Sequence, residues 1–177
     1  MSRNMRNSGR ASKGLSDLIA LLPKGITMVE VGSWTGESAV MFQPHVSVIH
    51  CIDPWVDAYC DHPMVLQNKM RDVEKQFDDR VKNIKNIVKV RLKSENAVSF
   101  FKENTLDFVY IDGDHTYESV KQDIQLWLPK IKTDGWIGGH DYTSSWPGVI
   151  KAVDELLGPP KLKFVDSSWL FKKVDVK

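Results

Sequence analysis

A chain of 177 residues with 42% hydrophobic and 27% charged residues fits one domain around one sizeable core. Its formal net charge of +1, with acids interleaved among the lysines between Lys69 and Lys93, argues against bulk electrostatic capture of nucleic acid. Two cysteines, Cys51 and Cys60, fit neither a disulfide framework nor a C-x-x-C zinc pattern, so a reducing, cytoplasmic compartment is expected.

The opening MSRNMRNSGR is polar and basic, and residues 1–13 are expected to be disordered ahead of a single domain over 14–177. The stretch LSDLIALL, interrupted by Asp17, is too short for a signal peptide, and no later run is long enough to span a membrane. Leu15–Leu22 reads as a short amphipathic helix closed by Pro23 and Gly25. Ile26–Val31 is a buried strand, Gly32–Gly36 a turn, and Glu37–Phe42 a helix that Pro44 cuts short. Val46–Ile52 is a second apolar run, ending at Asp53-Pro54. Strand, glycine turn, helix, then strand with a terminal acid is the first half of a nucleotide-binding α/β fold.

Trp55–Pro63 is an irregular connection, followed by a charged amphipathic helix over Met64–Phe77. Asn86–Leu92 alternates apolar and basic residues, the pattern of an edge strand. Ser94 is placed to cap a short helix through Phe101. Leu106–Ile111 is a strand that stops at Asp112-Gly113-Asp114-His115. A helix from Thr116 follows, with Tyr117, Val120, Ile124, Trp127 and Leu128 on one side and Pro129 at its end. The strand Ile131–Gly138 gives way to Gly139-His140-Asp141-Tyr142. Pro147–Leu157 is helical, and Lys161–Val165 and Trp169–Lys173 flank an Asp-Ser-Ser turn as a closing antiparallel hairpin.

Two parallel strands joined by a helix end on the same edge of a sheet, where open α/β sheets bind ligands. Asp112, Asp114, His115, His140 and Asp141 are therefore expected in one crevice, although Asp114 has a second reading as a cap for the following helix. His45, Cys60 and His62 show no ligand spacing. The first turn, Glu30 to Ser38, is E-x-G-x-x-x-G-x-S rather than the G-x-G-x-x-G of dinucleotide sites. That looser loop suits a cofactor with no pyrophosphate, and Glu30 adds negative charge that a cationic ligand tolerates. Asp53 stands where an acid bonded to ribose hydroxyls is expected.

On these residues the chain resembles the class I S-adenosylmethionine-dependent methyltransferases over nearly all its length after Gly25. VEVGSWTGES is similar to that family's first motif, CIDPW to its ribose-binding acid and DFVYIDGDH to its fourth motif. IDGDHTYE and GGHDY resemble a narrower group, which includes macrocin-type sugar O-methyltransferases and, more distantly, catechol-type metal-dependent enzymes. The resemblance implies a doubly wound α/β/α domain with seven mostly parallel strands in the order 3-2-1-4-5-7-6, strand 7 antiparallel. It implies S-adenosyl-L-methionine held by Glu30, Gly32, Ser33, Trp34, Gly36, Ser38, Asp53, Ser94 and Asp112. It also puts a divalent metal such as Mg²⁺ at Asp112, His140 and Asp141.

The relatives carry Asp-Asp or Asp-Asn where this chain has His140-Asp141, and a histidine favours a transition metal over Mg²⁺ or else acts as a base without metal. His115 stands where catechol-type relatives carry a catalytic lysine, so Asp112, His115 and His140 are the candidate catalytic residues. The activity implied is O-methyl transfer to a small hydroxylated acceptor such as a sugar, with no nucleic-acid or membrane partner and homo-oligomerisation left open. A metal-free enzyme with a histidine base and a non-catalytic cofactor-binding module are the alternatives, metal-dependent hydrolysis a remote third. The connection Trp55–Pro63 leaves the ligand edge and is expected to be a lid over the acceptor.

Overall fold

The computed structural model describes residues 9–56 and 70–176. At its centre β1 (Ile26–Val31) and β4 (Leu106–Ile111) lie side by side and parallel. Both are covered on two faces, which is why neither alternates in sequence. β2 (Val46–Ile52) flanks β1, and β3 (Ile87–Val90) closes that edge. Beyond β4 come β5 (Ile131–Gly139), β7 (Trp169–Lys172) and β6 (Leu162–Lys163). The order is β3-β2-β1-β4-β5-β7-β6 with β7 antiparallel to both neighbours, as the resemblance implies.

Helices cover both faces. α1 (Gly9–Ile19), α2 (Glu37–Phe42) and α3 (Met70–Val81) bury Leu15, Leu18, Phe42, Val73 and Phe77 against Met28, Phe108 and Tyr110. On the opposite face α4 (Ser94–Ala97), α5 (Tyr117–Trp127) and α6 (Pro147–Leu156) bury Ala97, Val120, Ile124, Trp127, Val149 and Val153 against Val29, Val109 and Ile111. Trp127 is wholly buried there, and its truncation to alanine would cost about 3–5 kcal/mol.

The register puts the strand ends in one row. Val31 pairs with Ile52 on one side and Ile111 on the other, Ile111 with Gly139, and Ile52 with Val90. The next residues, Asp53, Gly32, Asp112 and His140, are therefore the first beyond the row. Their N–H groups still donate to it: Asp53 to the Val90 carbonyl at 3.3 Å, Gly32 to Ile52 at 2.8 Å, Asp112 to Val31 at 2.8 Å and His140 to Ile111 at 3.0 Å. These backbones are fixed by the sheet while their side chains stand at its edge.

The structure departs from the sequence expectations at three places. α1 begins at Gly9, so residues 9–13 are helical rather than part of the disordered segment expected over 1–13, and the helix ends at Ile19, short of Leu22. Gly14 lies so close to Asp166 that an added Cβ would stand 2.1 Å from its Oδ1, a tertiary contact that no local pattern announces. α3 runs four residues past Phe77, to Val81, and the expected helical residues 64–69 lie outside the described ones. Ser94 is the first residue of α4 rather than its cap, and its hydroxyl is engaged elsewhere. Among the described residues, no helix is long and apolar enough to cross a membrane.

Candidate active site

Gly32 opens the site. Its φ is +83°, and a Cβ there would stand 2.2 Å from the Asp112 carbonyl oxygen. Only glycine lets the end of β4 come this close. Trp34 and Trp55 also adopt left-handed backbone, at φ +46° and +45°, a strain of about 1–3 kcal/mol each in general. Asp53 holds both in place: its Oδ2 accepts the Trp34 N–H at 3.0 Å and its Oδ1 the Trp55 N–H at 2.8 Å. The Trp55 indole closes the loop by donating to the Trp34 carbonyl at 2.9 Å. Burial pushes the Asp53 carboxyl up to about 6, against those N–H donors. A carboxylate has about four acceptor positions, so Asp53 keeps capacity for a ribose hydroxyl.

An open crevice beside this loop is lined by Gly32, Trp34, Asp53, Ser94 and Asp112, five of the expected cofactor residues. Glu30, Ser33, Gly36 and Ser38 are buried and do not line it. Glu30 pairs across the sheet with Cys51, whose thiol is pushed well up by burial and then by the Glu30 charge. Gly36 lies against Phe77, 2.9 Å from where its Cβ would be. The crevice suits an adenosine, since Asp53 offers an acceptor for a ribose hydroxyl there.

Asp123 also lines the crevice, and sequence reading missed it. It accepts from Ser94 Oγ, which in turn accepts from the Trp127 indole at 2.8 Å. Burial raises its carboxyl to about 7, with Ser94 pulling the other way. The available signal was an acid between Val120 and Trp127 on the core stripe of α5.

Asp112, His115 and Asp141 bring one ligand atom each to within 4.8 Å of one another. The expected metal set had His140 in place of His115; the converging trio differs by that residue. His115 Nε2 lies 2.7 Å from Asp141 Oδ2, and its ring stacks on Trp146 at 4.3 Å. His140 Nδ1 is 3.1 Å from the same oxygen and 3.8 Å from Asp112 Oδ1, while its Nε2 is 3.9 Å from Asp166 Oδ2. Burial disfavours a charge on His115, but Asp141, then Asp112 and Asp114, raise its pKa above the ordinary value. Burial pushes Asp141 up, yet the two imidazoles hold it well below the usual carboxylate range.

Asp114 is not the cap of α5: its Oδ1 accepts the Thr116 N–H at 2.8 Å, and Thr116 is the capping residue, its side chain accepting the Ser119 N–H. The side chain of Asp166, missed in the sequence, is buried and anchored by Ser168, which also meets the Tyr110 hydroxyl at 3.0 Å. Of the expected lid, residues 57–63 lie outside the described residues, as do Cys60 and His62.

A methyltransferase domain family model matches residues 29–142. Uncharacterized protein R132 of Acanthamoeba polyphaga mimivirus is 26% identical over 137 residues, 75% of this chain and 59% of that protein, so the chain spans less than two thirds of this relative's length. The tRNA (m1A58) methyltransferase TrmI from Aquifex aeolicus superposes with a TM-score of 0.64 at 10% identity, over 93% of this chain and 60% of that one. The N-methyltransferase NodS from Bradyrhizobium japonicum WM9 gives 0.60 at 13% identity, over 94% and 96%. At these identities the structural likeness is one of fold.

Proposed function

Since the chain belongs to the methyltransferase domain family, as a class I S-adenosylmethionine-dependent methyltransferase, we propose that it methylates a hydroxyl of a small acceptor such as a sugar, with a divalent ion assisting. The observation that carries this reading is Asp112, which lines both the cofactor crevice and the adjoining acid–histidine pocket. A hydroxyl needs to lose its proton to become a competent nucleophile, whereas a neutral amine does not. A cluster of two carboxylates and two imidazoles at the cofactor's edge meets that need. Asp112 and Asp141 would hold such an ion, which would supply Lewis acidity at the acceptor's side of the crevice.

The chain's own residues do the rest. Asp53 and the Gly32–Trp34 loop orient the cofactor, and Asp112 and Asp141 place the acceptor oxygen against the methyl carbon. The hydroxyl proton leaves to solvent at the open edge of the crevice, and the oxygen lone pair forms the new bond as the carbon–sulfur bond breaks and its electrons neutralise the sulfonium. Positioning and electrostatics account for such a rate. A metal-free enzyme with His115 as base fits less well, because Asp141 favours the protonated imidazole.

Labelled S-adenosylmethionine incubated with libraries of hydroxylated and amine acceptors tests this. Transfer to a hydroxyl is expected, and it should be lost in chelator and in Asp141→Ala while S-adenosylhomocysteine binding survives. Transfer to amines alone overturns the acceptor class, and full activity in excess EDTA overturns the metal.

A further inference from the structure

Asp123 is only 7% exposed, yet it lines the crevice, away from the acid–histidine pocket. We propose that Asp123 reads the purine base of the cofactor: one carboxylate oxygen accepts from the 6-amino group of adenine, so that the site selects an adenosyl over an inosyl compound. The assignment rests on the methyltransferase reading for the ligand and on the hydrogen-bond geometry for the choice of residue.

A chain of bonds sets the polarity of this carboxylate. The Trp127 indole can only donate, and it gives its N–H to Ser94 Oγ at 2.8 Å. Ser94 directs its own hydrogen to Asp123 Oδ1, which fixes that oxygen as an acceptor. Oδ2 accepts no hydrogen bond among the described residues. It lies 4.0 Å from where a Cβ on Gly113 would stand, and Gly113, which also lines the crevice, sets no side chain over it. A buried acceptor without a donor is unfavourable, and a ligand N–H that meets it recovers the loss. Burial raises the carboxyl to about 7, so at about pH 8 it is ionised and can only accept.

The other acids of the crevice are committed elsewhere. Asp53 takes the Trp34 and Trp55 N–H groups beyond the end of β2, and Asp114 Oδ1 takes the Thr116 N–H. Glu95 has a side chain 34% exposed and faces Lys93 at 3.9 Å. Asp112 also serves the acid–histidine pocket. Ser119 and Gln122 line the crevice too, but a hydroxyl and an amide can each turn to donate or accept, so they discriminate little between an amino and an oxo group. Asp123 cannot turn in that way, because Ser94 holds one of its oxygens. A 6-oxo purine therefore sets oxygen against oxygen.

Titration calorimetry at about pH 8 with S-adenosylhomocysteine and S-inosylhomocysteine, on the full chain and on Asp123→Asn and Asp123→Ala, tests the assignment. The wild type is expected to bind the adenosyl compound at least about tenfold more tightly. In Asp123→Asn the hydrogen of Ser94 still needs an acceptor, which draws the amide oxygen to Ser94 and leaves the amide N–H groups toward the base. The preference is then expected to disappear or reverse, a change that a packing role does not produce. In Asp123→Ala it should shrink to about threefold or less. The asparagine keeps the size of the native side chain, and it decides alone if the alanine variant does not fold. Equal binding of the two compounds by the wild type, a preference left intact in Asp123→Asn, or an equal loss of both compounds in the variants overturns the assignment. Each of these leaves S-adenosylhomocysteine binding by the wild type, and so the methyltransferase, standing. A wild type that binds neither compound removes the reading on which the proposal rests.

Discussion

Asp53 connects two strained tryptophan backbones to the cofactor crevice through one carboxylate. Asp53→Ala is expected to weaken S-adenosylhomocysteine binding by about 1–3 kcal/mol in calorimetry, through lost ribose bonds and a loosened loop. Unchanged affinity would contradict its role. Asp53 was legible in the sequence because it follows an apolar run directly and lies a motif's distance from the glycine turn. Asp123 and Asp166 were not. Asp123 reads as one polar residue on a helix, and Asp166 as part of a turn; their importance comes from Ser94, Gly14 and Ser168, residues brought in by the fold. The same limit explains His115 and His140, whose strand-end positions were readable but whose ring orientations were not.

Elements with both faces covered were the most legible: β1, β2 and β4 occupy the spans their apolar runs indicate, because a buried parallel strand leaves a continuous signature. α1 and Ser94 were misjudged where a tertiary contact, not a local preference, decides. The junction of elements that matters most is Gly32 against the end of β4. Gly32→Ala is expected to cost about 2–4 kcal/mol in denaturant unfolding and to abolish cofactor binding, since backbone rather than a flexible side chain stands 2.2 Å from the added carbon. A variant of wild-type stability that still binds cofactor would contradict that packing.

For the whole molecule, buried acids around the crevice set the response to pH. Asp53, raised by burial to about 6, and Asp123, raised to about 7, hold protons when folded that the unfolded chain releases. Their contribution is complete below the ordinary carboxylate value of 3.8 and is lost as pH rises through the folded values. His115, raised by Asp141 against its burial, acts in the same direction from 6.5 upward, while half-buried His50, lowered by burial, opposes it. Asp141 is lowered, so its contribution is lost only in stronger acid. The melting temperature of the cofactor-free protein is therefore expected to fall between about pH 5 and pH 8, and Asp123→Asn should flatten that slope. A slope unchanged in the variant would remove Asp123 from the explanation. The central claim is that the strand-end crevice holds S-adenosylmethionine, and titration calorimetry of the purified chain with S-adenosylhomocysteine and with NAD tests it most directly. Saturable binding of S-adenosylhomocysteine with NAD far weaker is the expected result; tighter binding of NAD, or no binding of S-adenosylhomocysteine, would contradict it.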